Sequence, residues 1–271
     1  ASKPRFDPNI LSGRLTQEQA RSLYDNPYHP MLDKALQGSY FPGSTYKVIP
    51  AMAALEERLV DTTEEIFCKK YHEYGKRSAF RCTHAHGPVN LYRGIVQSCN
   101  IFFYHMAERV GMDRMARYAR DFGMGTPSGL GLNSEQGGFI PTKAWYNKNM
   151  PGGFRIGHTL NSGVGQGNVT VTPLQLAMLY STIANGGKLY LPQIVLKIES
   201  AGGKIVQQFP PQIRRRVQVS QKTLKLIREA LYGVVNNPLG TASDAHIKGL
   251  EVAGKTGTAQ VTKRGKTARN K

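Results

Sequence analysis

The stretch YFPGSTYKVIPAMAALEE, residues 40–57, decides how the rest of the chain is read. Pro42-Gly43 marks a turn, and Ser44 follows as the natural first residue of a helix. Val48, Ile49, Met52, Ala53 and Leu55 make an apolar run too continuous for a surface helix, so a buried element is predicted. Residues three apart share a helix face, which puts Lys47 one turn below Ser44 inside that element. Burial disfavours an ammonium, and a neutral amine beside a hydroxyl is a general base beside a nucleophile. Pro50 is expected to fall in the helix interior, at the cost of a hydrogen bond and with a kink. One S-x-x-K in 271 residues is also an ordinary coincidence, so the reading depends on what accompanies it.

Composition narrows the field. With 40% hydrophobic and 20% charged residues the chain has the balance of a folded globular protein, large enough for one domain or two small ones. The formal net charge of +18 allows a nucleic-acid surface. The basic residues, however, are scattered among apolar helices with no nucleic-acid motif beside them, and anionic lipids or acidic wall polymers would feel the same field. No apolar run approaches the roughly 20 residues of a membrane span, and no signal peptide opens the chain. The opening SKPRFDPN and the basic close VTKRGKTARNK read as cuts within a longer protein, so residues 1–271 are expected to be one domain truncated at both ends.

Along the chain, Thr16 predicts a short helix to about Asp25, and residues 64–90 read as irregular. LYRGIVQ is a turn or two of helix broken at Ser98-Cys99-Asn100. IFFYHMAERV resumes it, and Gly111 separates that helix from MDRMARYARDFG. Residues 125–168 read as Gly-rich loop with short turns. Thr172, Pro173 and Gly186 bound a helix as N-cap, first position and terminator. YLPQIVLKIES and KIVQQF read as a hairpin, Ser220 caps a helix to about Val235, and LEVAGKTGTAQVT reads as a strand. Helices first and strands late predict an α+β arrangement, helices packed on a mostly antiparallel sheet.

Two further triplets accompany the first: Ser98-Cys99-Asn100 in the inter-helix break, and Lys255-Thr256-Gly257 on the late segment. Chemistry assigns each a role. Ser44 attacks a carbonyl and Lys47 takes its proton, while Ser98 relays that proton to the leaving amine and Asn100 holds the substrate amide. Lys255 places a second positive charge near Lys47. Thr256 and Thr258 offer hydroxyls to a terminal carboxylate, Gly257 lets a substrate backbone lie close, and the N–H groups of Ser44 and Thr258 form the oxyanion hole.

S-x-x-K, S-x-N and K-T-G in this order resemble the signature of penicillin-binding proteins and serine β-lactamases. With GLNSEQGGFIPTKAWY and VGQGNVTVTPLQLAMLYSTIANGG the chain is similar nearly end to end to the transpeptidase domain of class B penicillin-binding proteins of the cell-elongation type. That resemblance implies the penicillin-binding, serine β-lactamase-like fold, with opening and closing sheet strands beyond this chain. It implies peptidoglycan D,D-transpeptidation through a Ser44 acyl-enzyme on D-Ala–D-Ala stem peptides, with β-lactams acylating the same serine and no cofactor for catalysis. It also implies a membrane-anchored full-length protein with this domain on the extracytoplasmic, periplasmic side. Its partners there would be a SEDS-type glycosyltransferase and elongation-complex scaffold proteins. A carboxypeptidase or β-lactamase of the same fold would differ in using water as acceptor. A penicillin-binding sensor would acylate without cross-linking, and an incomplete fragment would not assemble the site.

Cys68, Cys82 and Cys99 are the only cysteines, and with His86 they give C-x13-C-x3-H-x12-C. Three readings stand: a closed structural Cys₃His zinc site tying the 64–90 segment to the Ser98 turn, a Cys68–Cys82 disulfide with one spare thiol, or three inert buried thiols. His72 and His84 are alternative ligands, and the resemblance maps a zinc site of some relatives onto Cys68, Cys82, His86 and Cys99.

Overall fold

The computed structural model describes residues 3–73, 80–132 and 134–259. In chain order the elements are α1 (Gln17–Tyr24), α2 (Val48–Glu56), β1 (Ile66–Cys68), β2 (Tyr71–His72), β3 (Phe80–Arg81) and β4 (Gly87–Val89). There follow α3 (Leu91–Val96), α4 (Asn100–Val110), α5 (Met112–Asp121), α6 (Lys143–Asn149), α7 (Ile156–Gly163) and α8 (Pro173–Ala184). The chain continues through β5 (Lys188–Tyr190), β6 (Lys197–Glu199), β7 (Ile205–Gln208), β8 (Ile213–Arg216) and α9 (Gln221–Asn236). No described helix is long and apolar enough to cross a membrane.

The helix starts follow their caps. Thr16 and Gln19 close a reciprocal capping box on α1, and Thr172 and Gln175 do the same on α8. Ser220 Oγ accepts from the Thr223 amide at 3.2 Å to start α9. Contacts divide the described residues into two compact units. One lies within Ala1–Tyr40, Arg120–Phe139 and Thr170–Val217, the other within Phe41–Ala119, Ile140–Val169 and Gln218–Lys271.

The first unit packs α8 against β5, which pairs antiparallel with β8, while β6 and β7 form the predicted hairpin. Gln175, fully buried, ties this unit together: its Nε2 donates to Thr126 O at 2.8 Å and Gly137 O at 2.6 Å. The second unit is built around α2, whose Val48, Ile49 and Ala51 to Ala54 are all fully buried. α4 and α9 pack on α2, α3 packs on α9, and α7 packs on α4. β1 pairs with β4 and β2 with β3, both antiparallel.

Five expectations need correction, the plainest being that residues 64–90 are not irregular: β1, β2, β3 and β4 lie within them as two short antiparallel ladders, because Ile66–Cys68 and Gly87–Val89 find each other as partners, as do Tyr71–His72 and Phe80–Arg81. Second, Ser44 does not begin the α-helix: Gly43–Lys47 is a 3-10 turn and α2 starts at Val48. Pro50 explains this, because its ring would clash with the carbonyl four residues back in a continuous α-helix. It therefore occupies the first turn of α2, where an N–H has no intrahelical partner. Third, residues 125–168 are not all loop but contain α6 and α7. Thr142 caps α6 by accepting from the Trp145 amide at 3.2 Å, and the α7 glycines that read as loop serve close packing, Gly163 against α4 and Gly157 against Phe80 of β3. Fourth, the helices and antiparallel strands of the expected α+β class are present, but among the described residues the strands form four separate two-stranded ladders. Fifth, the described part of LEVAGKTGTAQVT, through Ala259, is not a strand, because among the described residues it has no ladder partner. The rest of that segment and the basic close lie outside the described residues.

Gly163 ends α7 where it crosses α4, and a Cβ there would overlap the Ala107 methyl. Gly163→Val is expected to destabilise the fold by about 1–3 kcal/mol, the usual cost of overpacking a tight crossing. Equilibrium denaturant unfolding measures it.

Candidate active site

The geometry centres on Lys47. It is fully buried, and Nζ donates to Ser98 O at 2.7 Å, Ser98 Oγ at 3.1 Å and Asn100 Oδ1 at 2.7 Å. The Phe103 ring, one turn beyond Asn100 on α4, lies 5.4 Å from Nζ and covers it with its face. Burial, and after it the charge of Lys255, lower the Lys47 pKa to about 7, against a smaller opposing pull from Cys82 and Cys99. Near neutral pH much of this lysine is therefore an amine. The amine has two hydrogens for three neighbours, so the longest contact reverses: Ser98 Oγ–H donates to Nζ, which makes a proton path between the two side chains.

Ser98 is presented by strain. Cys99 N–H donates to Gly94 O at 3.0 Å and Ser98 N–H to Ile95 O at 3.2 Å, the Schellman closure of α3. Ser98 thereby takes the left-handed position of that motif, φ 54°, where glycine is usual. Cys99 then caps α4, its Sγ accepting from the Phe102 amide at 3.5 Å, and Asn100 is the first residue of the helix. The Asn100 side chain is held at both ends, Oδ1 by Lys47 and Nδ2 by the Arg81 carbonyl at 3.1 Å.

Ser44 is half-buried as the second residue of the 3-10 turn, one turn before Lys47. Gly43 before it has φ 54°, donates its N–H to Gly165 O at 2.9 Å, and faces Thr258 so closely that a Cβ would run into the Thr258 carbonyl. Gly257 faces the Thr45 methyl. The turn that opens the first motif is thus packed directly against the end of the third. The Lys255 segment is held without a ladder: Gly254 N–H donates to Leu231 O at 3.1 Å, and Asn236 Nδ2 to Val252 O at 2.8 Å. Lys255 Nζ lies 3.4 Å from Thr256 Oγ1, and burial lowers its pKa to about 8. Thr256 Oγ1 also shares a 2.8 Å hydrogen bond with Thr241, while Thr258 is exposed.

Cys68 at the end of β1, Cys82 after β3, His86 before β4 and Cys99 at the α4 cap bring their ligand atoms within 4.8 Å of one another. All three thiols are free, so the Cys68–Cys82 disulfide does not form. His86 Nδ1 lies 3.5 Å from Cys68 Sγ and 3.4 Å from Cys82 Sγ. A tetrahedral zinc with Zn–S near 2.3 Å and Zn–N near 2.0 Å sets those ligands about 3.6 Å apart, so the donor set and its spacing fit. A hydrogen bond from Cys99, reinforced by the Asn100 amide and His86, takes the Cys82 thiol down to about 4, and the same pairing drives Cys99 up. His84 and His72 are not members. The His84 carbonyl lies 3.7 Å from Cys68 Sγ, and His72 is bound to Glu108.

The fold therefore gathers Lys47, Ser98 and Asn100 by direct contact, Ser44 by the turn, and Thr258 through Gly43. Sequence reasoning missed four contributors. Phe103 was visible as the residue one turn after Asn100, and Gln166, whose Nε2 reaches Thr258 O at 3.5 Å, stands in the VGQGN stretch. Thr241 and the Arg81 carbonyl left no signal, because only tertiary packing brings them here.

The penicillin binding protein transpeptidase domain family matches residues 1–271. The peptidoglycan D,D-transpeptidase MrdA of Acinetobacter baumannii is 34% identical over 263 residues, 96% of this chain and 39% of that protein. Stage V sporulation protein D of Bacillus subtilis is 35% identical over 277 residues, 100% of this chain and 39% of that protein. Among solved structures, the Helicobacter pylori complex of PBP2 with MreC has a TM-score of 0.84 at 30% identity, over 96% of this chain and 48% of that one. The Pseudomonas aeruginosa PBP2 complex with WCK 5153 has 0.83 at 28%, over 96% and 59%. The penicillin G acyl-enzyme of Mycobacterium tuberculosis penicillin-binding protein A has 0.80 at 27%, over 97% and 58%. The chain thus spans about two-fifths of the length of the curated relatives it matches.

Left-handed backbone costs a residue with a Cβ roughly 1–2 kcal/mol. Ser98→Gly and Ser98→Ala both lose the hydroxyl that meets Lys47, and Ser98→Gly alone relieves the backbone, so it is expected to be the more stable of the two by about 1 kcal/mol, read as the higher melting temperature in calorimetry.

Proposed function

The chain belongs to the penicillin-binding protein transpeptidase family, and on that premise we propose that it is a serine D,D-transpeptidase cross-linking peptidoglycan stem peptides during cell-wall elongation. The observation that carries this reading is Lys47: a fully buried amine with Nζ on Ser98 and Asn100, one turn from Ser44. In acylation, Ser44 Oγ bonds to the carbonyl carbon of the D-Ala–D-Ala amide while its proton passes to Lys47 Nζ. The oxyanion is held by the N–H groups of Ser44 and Thr258. Collapse breaks the C–N bond, and the departing D-alanine amine takes the proton back from Lys47 through Ser98. The amine of a second stem peptide then attacks the ester, forms the cross-link and restores Ser44. Asn100 and the Gly257 edge align the substrate, and Lys255, Thr256 and Thr258 receive its terminal carboxylate. A β-lactam undergoes the first half only, its ring amide opening onto Ser44. The penicillin G acyl-enzyme of the Mycobacterium tuberculosis relative supports this.

In the whole protein we place this domain on the extracytoplasmic face of the inner membrane, beside a SEDS-type glycosyltransferase and a scaffold protein. The Helicobacter pylori pairing of PBP2 with MreC supports the scaffold. Intact-mass measurement after incubation with a penicillin tests the chemistry. One stoichiometric adduct is expected, absent in Ser44→Ala, and no adduct on folded protein refutes the assignment. The acylation rate should be bell-shaped in pH. It rises through about 7 as Lys47 loses its proton, and falls above about 8 as Lys255 loses the charge that holds the carboxylate.

Catalysis in this family needs no cofactor, and we assign Cys68, Cys82, His86 and Cys99 to a structural zinc ion. It would supply a cross-link between the 64–90 segment and the Ser98 turn, with no part in the acyl transfer. The 3.4 Å and 3.5 Å spacings of His86 Nδ1 from two sulfurs support it. Purified protein is expected to carry one zinc by elemental analysis, and a chelator or Cys68→Ser to lower the melting temperature. Metal-free protein with an unchanged melting temperature refutes it.

A further inference from the structure

Asn100 serves Lys47 only in one orientation of its amide. Half a turn about the last bond would aim an NH₂ donor at an amine that already donates, and would lose both contacts. Nothing on α4 sets that orientation. It is set from outside, by the Arg81 carbonyl that receives Nδ2 at 3.1 Å. Arg81 ends β3, a strand of two residues whose one ladder partner is β2, also of two. A two-stranded pair is marginal in water alone, so the position of this carbonyl depends on what the ladder docks against.

Just past its end, Cys82 Sγ receives the Asn100 amide N–H at 3.2 Å, and along its length two side-chain contacts dock it. His72 of β2 is 5% exposed, and its Nε2 donates to Glu108 Oε1 at 3.1 Å. The other carboxylate oxygen lies 3.8 Å from His105 Nδ1. Phe80 of β3 meets Tyr104 edge-on at 5.3 Å between centroids, and on its other side lies 3.3 Å from where a Gly157 Cβ would stand. Asn100, Tyr104 and Glu108 are each four residues apart, a single stripe of α4. One helix face thus carries the catalytic amide, the wedge and the clamp, and the ladder lies along all three. Eight residues of helix separate Glu108 from Asn100 by about 12 Å, so Glu108 touches no reacting atom.

We propose that Glu108 and His72 are positioning residues for acyl transfer: their hydrogen bond docks the β2–β3 ladder on α4 and so sets the Arg81 carbonyl that orients Asn100. The inference rests on the acyl-transfer reading above. The test compares wild type, Glu108→Ala and Glu108→Gln, which keeps an acceptor for His72. Glu64→Ala is the control, since it breaks the other carboxylate contact of α4, with Arg109 at 2.8 Å. Acylation by a fluorescent penicillin is followed by stopped flow at equal metal content, and the Asn100 side-chain amide by ¹⁵N NMR.

Glu108→Ala is expected to lower the saturating acylation rate by about tenfold or more with little change in the half-saturating concentration, the pattern of a misaligned catalytic group. Its Asn100 amide resonances should shift. Glu108→Gln should recover to within about threefold of wild type, and Glu64→Ala should cost stability but not rate. Glu108→Ala acylating like wild type, or falling no further than Glu64→Ala, overturns the proposal, as does an unmoved Asn100 amide. Should Glu108→Ala not fold, His72→Gln carries the same comparison. A wild type that is not acylated refutes the acyl-transfer reading instead, and the NMR comparison still decides whether Glu108 orients Asn100.

Discussion

The structure turns on the burial of one lysine. Removing an ammonium from water is tolerable only if its donors are met or its charge is given up, and Lys47 is placed to do both. Three oxygens receive its hydrogens when charged, and the pressure of burial and of Lys255 favours the amine. Much of the second unit serves this arrangement. α2 is apolar all round because it must be buried to bury its leading lysine. α3 ends in a left-handed serine, and in that conformation the Ser98 carbonyl and hydroxyl both face Nζ.

Those requirements are met at the expense of local regularity. The 3-10 turn at Ser44, the positive φ of Ser98 and the close face of Gly43 on Thr258 are all departures from relaxed backbone or spacing, and all lie at the site. Strain of this kind persists only where the surroundings over-determine it. Here the surroundings are helices packed so closely that Gly163 meets Ala107, and a cysteine cluster whose last member caps the helix bearing Asn100.

The cysteine cluster and the β2–β3 ladder share a purpose that neither motif announces. Cys82 follows Arg81 directly, and its sulfur receives the Asn100 amide N–H at 3.2 Å while the Arg81 carbonyl receives the Asn100 side chain. Two neighbouring residues thus grip the backbone and the side chain of Asn100.

The sequence by itself determined the helix caps at Thr16, Thr172 and Ser220, the β6–β7 hairpin, the three triplets and the cysteine–histidine spacing. Each is written in residues adjacent in the chain or at a fixed helical interval, where local sterics and hydrogen bonding decide. Only tertiary structure decided that Ser44 opens a 3-10 turn, because the constraint came from Pro50 acting backwards on the helix. It alone revealed α7, whose glycines mean loop in a sequence and close packing in a core. It alone left Lys255–Thr258 outside any ladder among the described residues, since a strand is a relation to a partner rather than a property of its residues. Arg81, Thr241 and Glu108 entered the same way: what each contributes is a position in space, set by contacts with residues far away in the chain.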